Sequence, residues 1–105
     1  MSLFAIHKNS NPITRKLYPF LINVQSTLLD SLETRLVIPL SQKSSFDGKP
    51  INVLNPVIEI ENEEYIILTQ QMAAIQLKNI GSMIGDGSLK RQEIISSIDL
   101  LITGF

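Results

Sequence analysis

No cysteine occurs in the sequence, and His7 is its only histidine. The first absence excludes disulfides, thiol catalysis and thiolate metal sites, and it fits a reducing compartment. The second removes the positioned base that a Ser-His-Asp or Cys-His site needs, so most hydrolytic constellations cannot be assembled. A lone histidine on a strand reads as a surface or lightly packed residue. Long apolar runs are missing as well. Nothing approaches the roughly 18 residues of a membrane span, and the apolar start at Met1–His7 is too short for a signal sequence. An excess of charge of one sign is also absent: nine Lys and Arg face ten Asp and Glu, without the basic surplus of a nucleic-acid binder. These absences predict a soluble, intracellular, cytoplasmic protein.

The hydrophobic fraction of 44% over 105 residues suffices for one core, and we expect a single domain over residues 1–105. Leu3 to Lys8 alternates as a first strand. Asn9-Ser10-Asn11-Pro12 is turn chemistry, followed by the basic pair Arg15-Lys16. Tyr18 to Gln25 reads as a second strand, with Phe20, Ile22 and Val24 on one face. Leu28 to Glu33 is either a loop or a short helical turn. Thr34 to Leu40 is a third strand, ended or bulged by Pro39, because proline donates nothing to a ladder. Ser41 to Asn55 is an exposed connection anchored by Phe46 and Ile51–Leu54.

A hairpin follows, with Ile58 and Ile60 alternating against Glu59 and Glu61, a turn at Asn62-Glu63, and a return through Tyr65–Leu68. That second arm is apolar on both faces and belongs inside its sheet. Ile75 to Ile80 alternates as another strand, Gly81 to Gly87 reads as a connector, and Ser88 as a helix N-cap. From Ser88 to Phe105, residues Ile94, Ile95, Ile98, Leu101, Ile102 and Phe105 share one helical face, with Gln92, Ser96, Asp99 and Thr103 opposite. The fold class is mainly β with one C-terminal α-helix, in a compact barrel or curled sheet.

Chemistry is sparse. Glu59, Glu61, Glu63 and Glu64 read as a solvated acidic edge rather than a metal site, since edge charges suppress strand pairing between molecules. The glycines before the helix lack the Lys-Ser/Thr pair of a phosphate loop. Arg15-Lys16 and Lys90-Arg91 are small basic patches of the kind that usually solvate a surface. The residues predict no enzyme, no cofactor and no metal: a small β-rich binding domain.

Several ordered stretches resemble the CcdB toxins: Phe20-Leu21-Ile22-Asn23-Val24-Gln25-Ser26, Arg35-Leu36-Val37-Ile38-Pro39-Leu40, Pro56-Val57-Ile58-Glu59-Ile60, Met72-Ala73, and the closing Ile98–Phe105. The resemblance implies an SH3-like barrel with a five-stranded antiparallel sheet, a small extra sheet and a C-terminal helix. It also implies a cytoplasmic homodimer, the toxin of a type II toxin–antitoxin pair. Such a toxin binds the A subunit of DNA gyrase, traps the cleaved-DNA complex, and is neutralised by a CcdA-like antitoxin. DNA is met only indirectly, through gyrase or through the antitoxin complex that acts as a transcription corepressor.

Carried over by position, the gyrase contacts implied by the resemblance fall on Leu28, Leu29, Asp99, Ile102, Thr103, Gly104 and Phe105. The sequence departs from a known member at three of these: Thr103 stands in place of Trp, Asp99 in place of Asn, and Phe105 in place of Ile. Arg15 and Lys16 are candidates for pairing with an acidic antitoxin segment. Two alternatives stand beside this reading. One is an endoribonuclease toxin of the same fold, for which Arg15, Lys16 and Arg35 are the obvious cations and an Asp/His partner is missing. The other is a relative that binds the antitoxin without poisoning gyrase.

Overall fold

The computed structural model describes residues 1–104. Its elements run β1 (Ala5–Asn9), β2 (Phe20–Asn23), β3 (Thr34–Gln42), β4 (Val57–Ile60), β5 (Glu63–Ile67), β6 (Ala73–Gln76), β7 (Ile80–Asp86) and α1 (Arg91–Thr103), with 3-10 turns between several of them. Every strand pair is antiparallel. The order β7-β1-β2-β3-β6 gives five strands in a row, and β4-β5 add to the far half of β3 as a small extra sheet. The fold is therefore a curled, mainly β half-barrel with a C-terminal helix. Phe4, Ile6, Ile22, Ile38, Leu40, Ile58, Ile67 and Ile94 fill its inside.

The long strand β3 runs through Pro39 without ending, contrary to the sequence expectation, and Pro39 is buried in mid-strand. On one side β3 pairs with β2 from Val37 to Leu40. On the other it pairs with β6 as far as Val37 and with β5 only from Leu40. Pro39 sits in the gap between these two partners. Its carbonyl accepts from the Leu68 N–H at 3.0 Å, so its nitrogen points into the same gap. The missing N–H therefore falls where no ladder hydrogen bond is required.

The hairpin turn lies one residue earlier than read from the sequence. Glu61 and Asn62 both have positive φ, at 51° and 67°, and Ile60 pairs with Glu63. Two central residues in that region make the two-residue turn whose twist matches the flanking strands. The arm returning through β5 lies inside the sheet, as its two apolar faces predict.

The stretch from Ala73 to Gly87 departs most from expectation. The strand is Ala73–Gln76, a 3-10 turn occupies Leu77–Asn79, and the supposed connector is strand β7. Its glycines are there for proximity. A Cβ on Gly81 would lie 2.9 Å from the Lys8 carbonyl oxygen, and one on Gly87 would lie 2.6 Å from Ile22 Cδ1. Alternation is hard to see where glycine stands at positions 81, 85 and 87.

In the connection after β3, Ile51 and Val53 are exposed rather than anchoring, and Phe46 is half-buried. Asn55 holds the segment instead. Its Nδ2 donates to the Ile67 carbonyl and to Gln70 Oε1, and its Oδ1 accepts from the Ile51 N–H.

Ser88 does not cap the helix. It opens a 3-10 turn, Ser88–Lys90, and the capping oxygen is Asp86 Oδ1, which accepts from both the N–H and the hydroxyl of Ser88. The Ser88 hydroxyl first and its N–H second hold the Asp86 carboxyl below the ordinary value of 3.8. A lowered carboxyl pKa contributes stability above the unfolded-state value and loses it as pH falls through the folded one. Asp86→Ala is expected to lower the melting temperature at neutral pH, and the gap from the parent protein should close below the ordinary value. Thermal unfolding across pH 2–7 checks this, and a gap constant with pH would refute it.

Candidate functional site

Helix α1 docks by its first half only. Ile94 and Ser97 are fully buried and Ile98 is partly so. Leu101 continues that face one turn on, yet it is 41% exposed, and Ile102 is 69% exposed. The apolar stripe seen in the sequence is therefore divided: one part packs, and Ile95, Leu101 and Ile102 stay at the surface.

A polar contact fixes the docked half. The Ser97 hydroxyl donates to the Ile94 carbonyl at 2.7 Å. Its oxygen lies 2.9 Å from Thr69 Oγ1, which must donate because the Ser97 proton is already committed. Thr69 and Ser97 are both fully buried. Thr69 starts the 3-10 turn Thr69–Gln71, which links β5 to β6.

At the free end, the Thr103 hydroxyl donates back to the Asp99 carbonyl at 2.7 Å. Gly104 has φ of 81° and donates its N–H to the Leu100 carbonyl, the left-handed cap that ends many helices. Asp99, Ile102, Thr103 and Gly104 are all exposed on this one projecting turn. Phe105 lies outside the described residues.

The pair Leu28-Leu29 belongs to a separate element, the 3-10 turn Thr27–Leu29, which settles the choice between loop and helical turn. Ser26 caps it by accepting from the Leu28 N–H. Neither leucine enters the core: Leu28 is 91% exposed and Leu29 49%, and the nearby Leu32 is also exposed. Under the turn lie Gln25 and Arg35, both buried. The sequence had named Arg35 only as a cation for the ribonuclease alternative and had assigned Gln25 no role.

Arg15 and Lys16 sit on a third element, the turn from Asn11 to Tyr18, and both are exposed between exposed Ile13 and Leu17. Asn9 braces that turn, its Nδ2 donating to Thr14 Oγ1 and to the Tyr18 carbonyl. A cavity of about 210 Å³, lined in part by Thr14, Tyr18, Pro39 and Ile75, opens beside it.

The remaining candidates are structural. Glu59, Glu61, Glu63 and Glu64 are all exposed. Burial first, then the charges of Glu63 and Glu61, raise the Tyr65 phenol above its ordinary value. His7 Nδ1 lies 2.9 Å from the Gly81 carbonyl, tying β1 to β7. Arg35 does not line an open cationic groove, as the ribonuclease alternative needs, because its guanidinium is buried against backbone carbonyls. Among the described residues, no group of three or more His, Asp or Glu is placed to hold a metal ion, and no helix is long and apolar enough to cross a membrane.

An antiparallel half-barrel that exposes aliphatic side chains on a capped turn and on a projecting helix end has the form of a small protein-binding domain. The family model described as CcdB protein matches residues 3–104, so the chain belongs to the CcdB family, in general a family of gyrase-poisoning toxins from toxin–antitoxin pairs.

Removing the Ser97 hydroxyl leaves the Thr69 donor buried without a partner, at a cost of about 1–3 kcal/mol. Ser97→Ala is expected to lower stability by that amount in urea unfolding. A change below experimental error would show that the Thr69–Ser97 bond does not seat the helix.

Proposed function

We propose that this chain is a toxin that binds the A subunit of DNA gyrase, traps its cleaved-DNA complex, and acts by binding without a reaction of its own. The observation that carries this reading is the projecting end of α1, where Leu101 and Ile102 remain exposed after the core is complete. A helix end that only strapped the core would bury them. Of the positions to which the family resemblance points, Asp99, Ile102, Thr103 and Gly104 lie on this turn and Leu28 and Leu29 on the other among the described residues, and both turns expose aliphatic side chains.

Binding energy at interfaces concentrates in a few residues that cost more than about 1 kcal/mol when truncated. Leu28 and Ile102 are our anchors, and the proposed contact set also includes Leu29, Asp99, Thr103, Gly104 and Phe105. Because both anchors are exposed, Leu28→Ala and Ile102→Ala should shift stability by less than about 0.5 kcal/mol. Each should nevertheless weaken binding to the gyrase A breakage–reunion domain by about tenfold or more. Titration of that domain with the purified protein checks this. Full-strength binding by both variants, or none by the parent chain, would refute it. The second outcome, paired with retained antitoxin binding, would favour the non-poisoning relative. One observation keeps that alternative in view: the Thr103 hydroxyl is already used within the helix.

We further propose a homodimer. Strand β6 pairs only with β3, and Ala73 and Ala74 on it are exposed. An open strand of small exposed residues suits close approach by a second copy. For the antitoxin, the Arg15-Lys16 turn, with its flanking Ile13 and Leu17, suits a segment that combines acidic and apolar residues. Arg15→Glu combined with Lys16→Glu is expected to slow association with a CcdA-like antitoxin and to flatten its salt dependence. An unchanged on-rate would remove these two residues from the contact.

A further inference from the structure

The turn that displays Leu28 and Leu29 is held from beneath by two buried polar side chains. Gln25 and Arg35 are only 8% and 4% exposed. Gln25 Nε2 donates to the Leu29 carbonyl at 3.1 Å and to the Thr34 carbonyl at 3.3 Å, while its Oε1 accepts from the Leu36 N–H at 3.0 Å. Arg35 donates through one terminal nitrogen to the Leu32 and Thr34 carbonyls, at 2.6 Å and 2.9 Å, and through the other to the Asp30 carbonyl at 2.9 Å. Its Nε lies 3.6 Å from Asp30 Oδ1, and the other carboxylate oxygen meets the Met1 amino group at 2.9 Å.

Four carbonyls of one short segment, at positions 29, 30, 32 and 34, are thus tied down by two side chains, Gln25 from the bend before it and Arg35 from the start of β3. A planar guanidinium with several fixed donors suits this task, and a lysine ammonium cannot reproduce the fork. The leucines hold the loop through their backbone alone, and their side chains are exposed. Buried polar groups fix the backbone while apolar groups face solvent, which is the arrangement expected of a tip whose shape is set before a partner arrives.

We propose that Gln25 and Arg35 are positioning residues that preorganise the Leu28-Leu29-Leu32 tip for its partner. The proposal rests on the reading of this tip as a gyrase contact. Ordering a loop at the moment of binding is charged against affinity, and a loop already ordered escapes that cost. Loss of either clamp should therefore weaken binding while the tip side chains remain unchanged.

The test is a double-mutant cycle on the purified full chain against the gyrase A breakage–reunion domain, with hydrogen exchange on the free protein. Gln25→Ala and Arg35→Lys are each expected to weaken binding about tenfold. Amides of residues 28–32 should exchange faster, with little change in β1, β2 or α1. In a Leu28→Ala/Leu29→Ala background the same clamp variants should lose most of their effect, because there is less tip left to position. A merely structural role would give equal losses in both backgrounds, in step with melting temperature, and would overturn the proposal. Unchanged affinity in Leu28→Ala/Leu29→Ala overturns the reading of the tip as a gyrase contact, and the proposal with it. A loss there but none in the clamp variants overturns the proposal alone. If Arg35→Lys does not fold, Gln25→Ala carries the cycle and decides by the same outcomes.

Discussion

The structure depends on one strand changing partners along one edge. Strand β3 follows β2 on one side, but on the other it leaves β6 at Val37 and takes up β5 at Leu40. A nine-residue strand shared in this way splits the sheet, and the chain must turn a corner between β5 and β6. That corner is the Thr69–Gln71 turn. Its first residue, Thr69, is the one that Ser97 of α1 meets inside the protein. Partner exchange in β3 thus fixes the corner, the corner fixes the docked half of the helix, and the docked half sets where the free half projects. Pro39 marks the exchange. A proline is tolerated in a buried strand only where no donor is needed, and the gap between two partners is such a place.

The distribution of polarity runs opposite to the usual expectation around the two exposed turns and the helix seat. Asn23, Gln25, Arg35, Thr69 and Ser97 are buried, while Leu28, Ile102 and Ile13 are largely exposed. Buried polar groups are expensive unless paired. Here Asn23 bridges the Ser2 and Gln25 carbonyls, Gln25 and Arg35 hold the tip, and Thr69 meets Ser97. Asn23, Gln25 and Arg35 direct backbone, and the Thr69–Ser97 pair seats the helix. The exposed aliphatics have no such structural employment, and scattered exposed apolar residues need no explanation by themselves. It is their position on segments held from beneath that gives them meaning.

Alternation and helical spacing made β1, β2, the hairpin and α1 legible, because each has one face in the core and keeps its pattern. The pattern failed where it had been traded away. Glycines blurred the alternation between Ile80 and Gly87, where Lys8 of β1 approaches Gly81 and Ile22 of β2 approaches Gly87 closely, and the strand looked like a connector. The full run of β3 was hidden by Pro39, since a sequence does not say where a neighbouring strand will depart. For the site, the helical stripe was visible but not its depth. Only the structure shows that full burial ends at Ser97 and that Leu101 stays exposed. Leu28 and Leu29 reached the candidate site through family resemblance alone, although two adjacent leucines in a short turn could not both have faced one core. Gln25 and Arg35 stood inside the two segments that carried the resemblance most strongly, and the residues gave no hint of their task. Hydrogen bonds to carbonyls leave no periodic trace.

Magnitudes bear on what Thr103 does to the proposed complex. A stacked aromatic–cation contact is worth about 0.5–2 kcal/mol, and Thr103 offers no ring. Its hydroxyl is turned back on the Asp99 carbonyl, so a partner meets its methyl group and little else. Full burial of one leucine or isoleucine side chain contributes about 1.5–3 kcal/mol. Leu28, at 91% exposed, and Ile102, at 69%, retain most of that area for a partner. Together they outweigh the aromatic contact, and a dimer would present the set twice. In the proposed complex, binding rests on aliphatic area and on the rigidity of the backbone that holds it, rather than on one aromatic anchor. Aliphatic contacts lack the directional geometry of a stacked ring, so their accuracy must come from the scaffold. The clamp formed by Gln25 and Arg35 supplies it at the turn, and the Thr69–Ser97 seat supplies it for the helix.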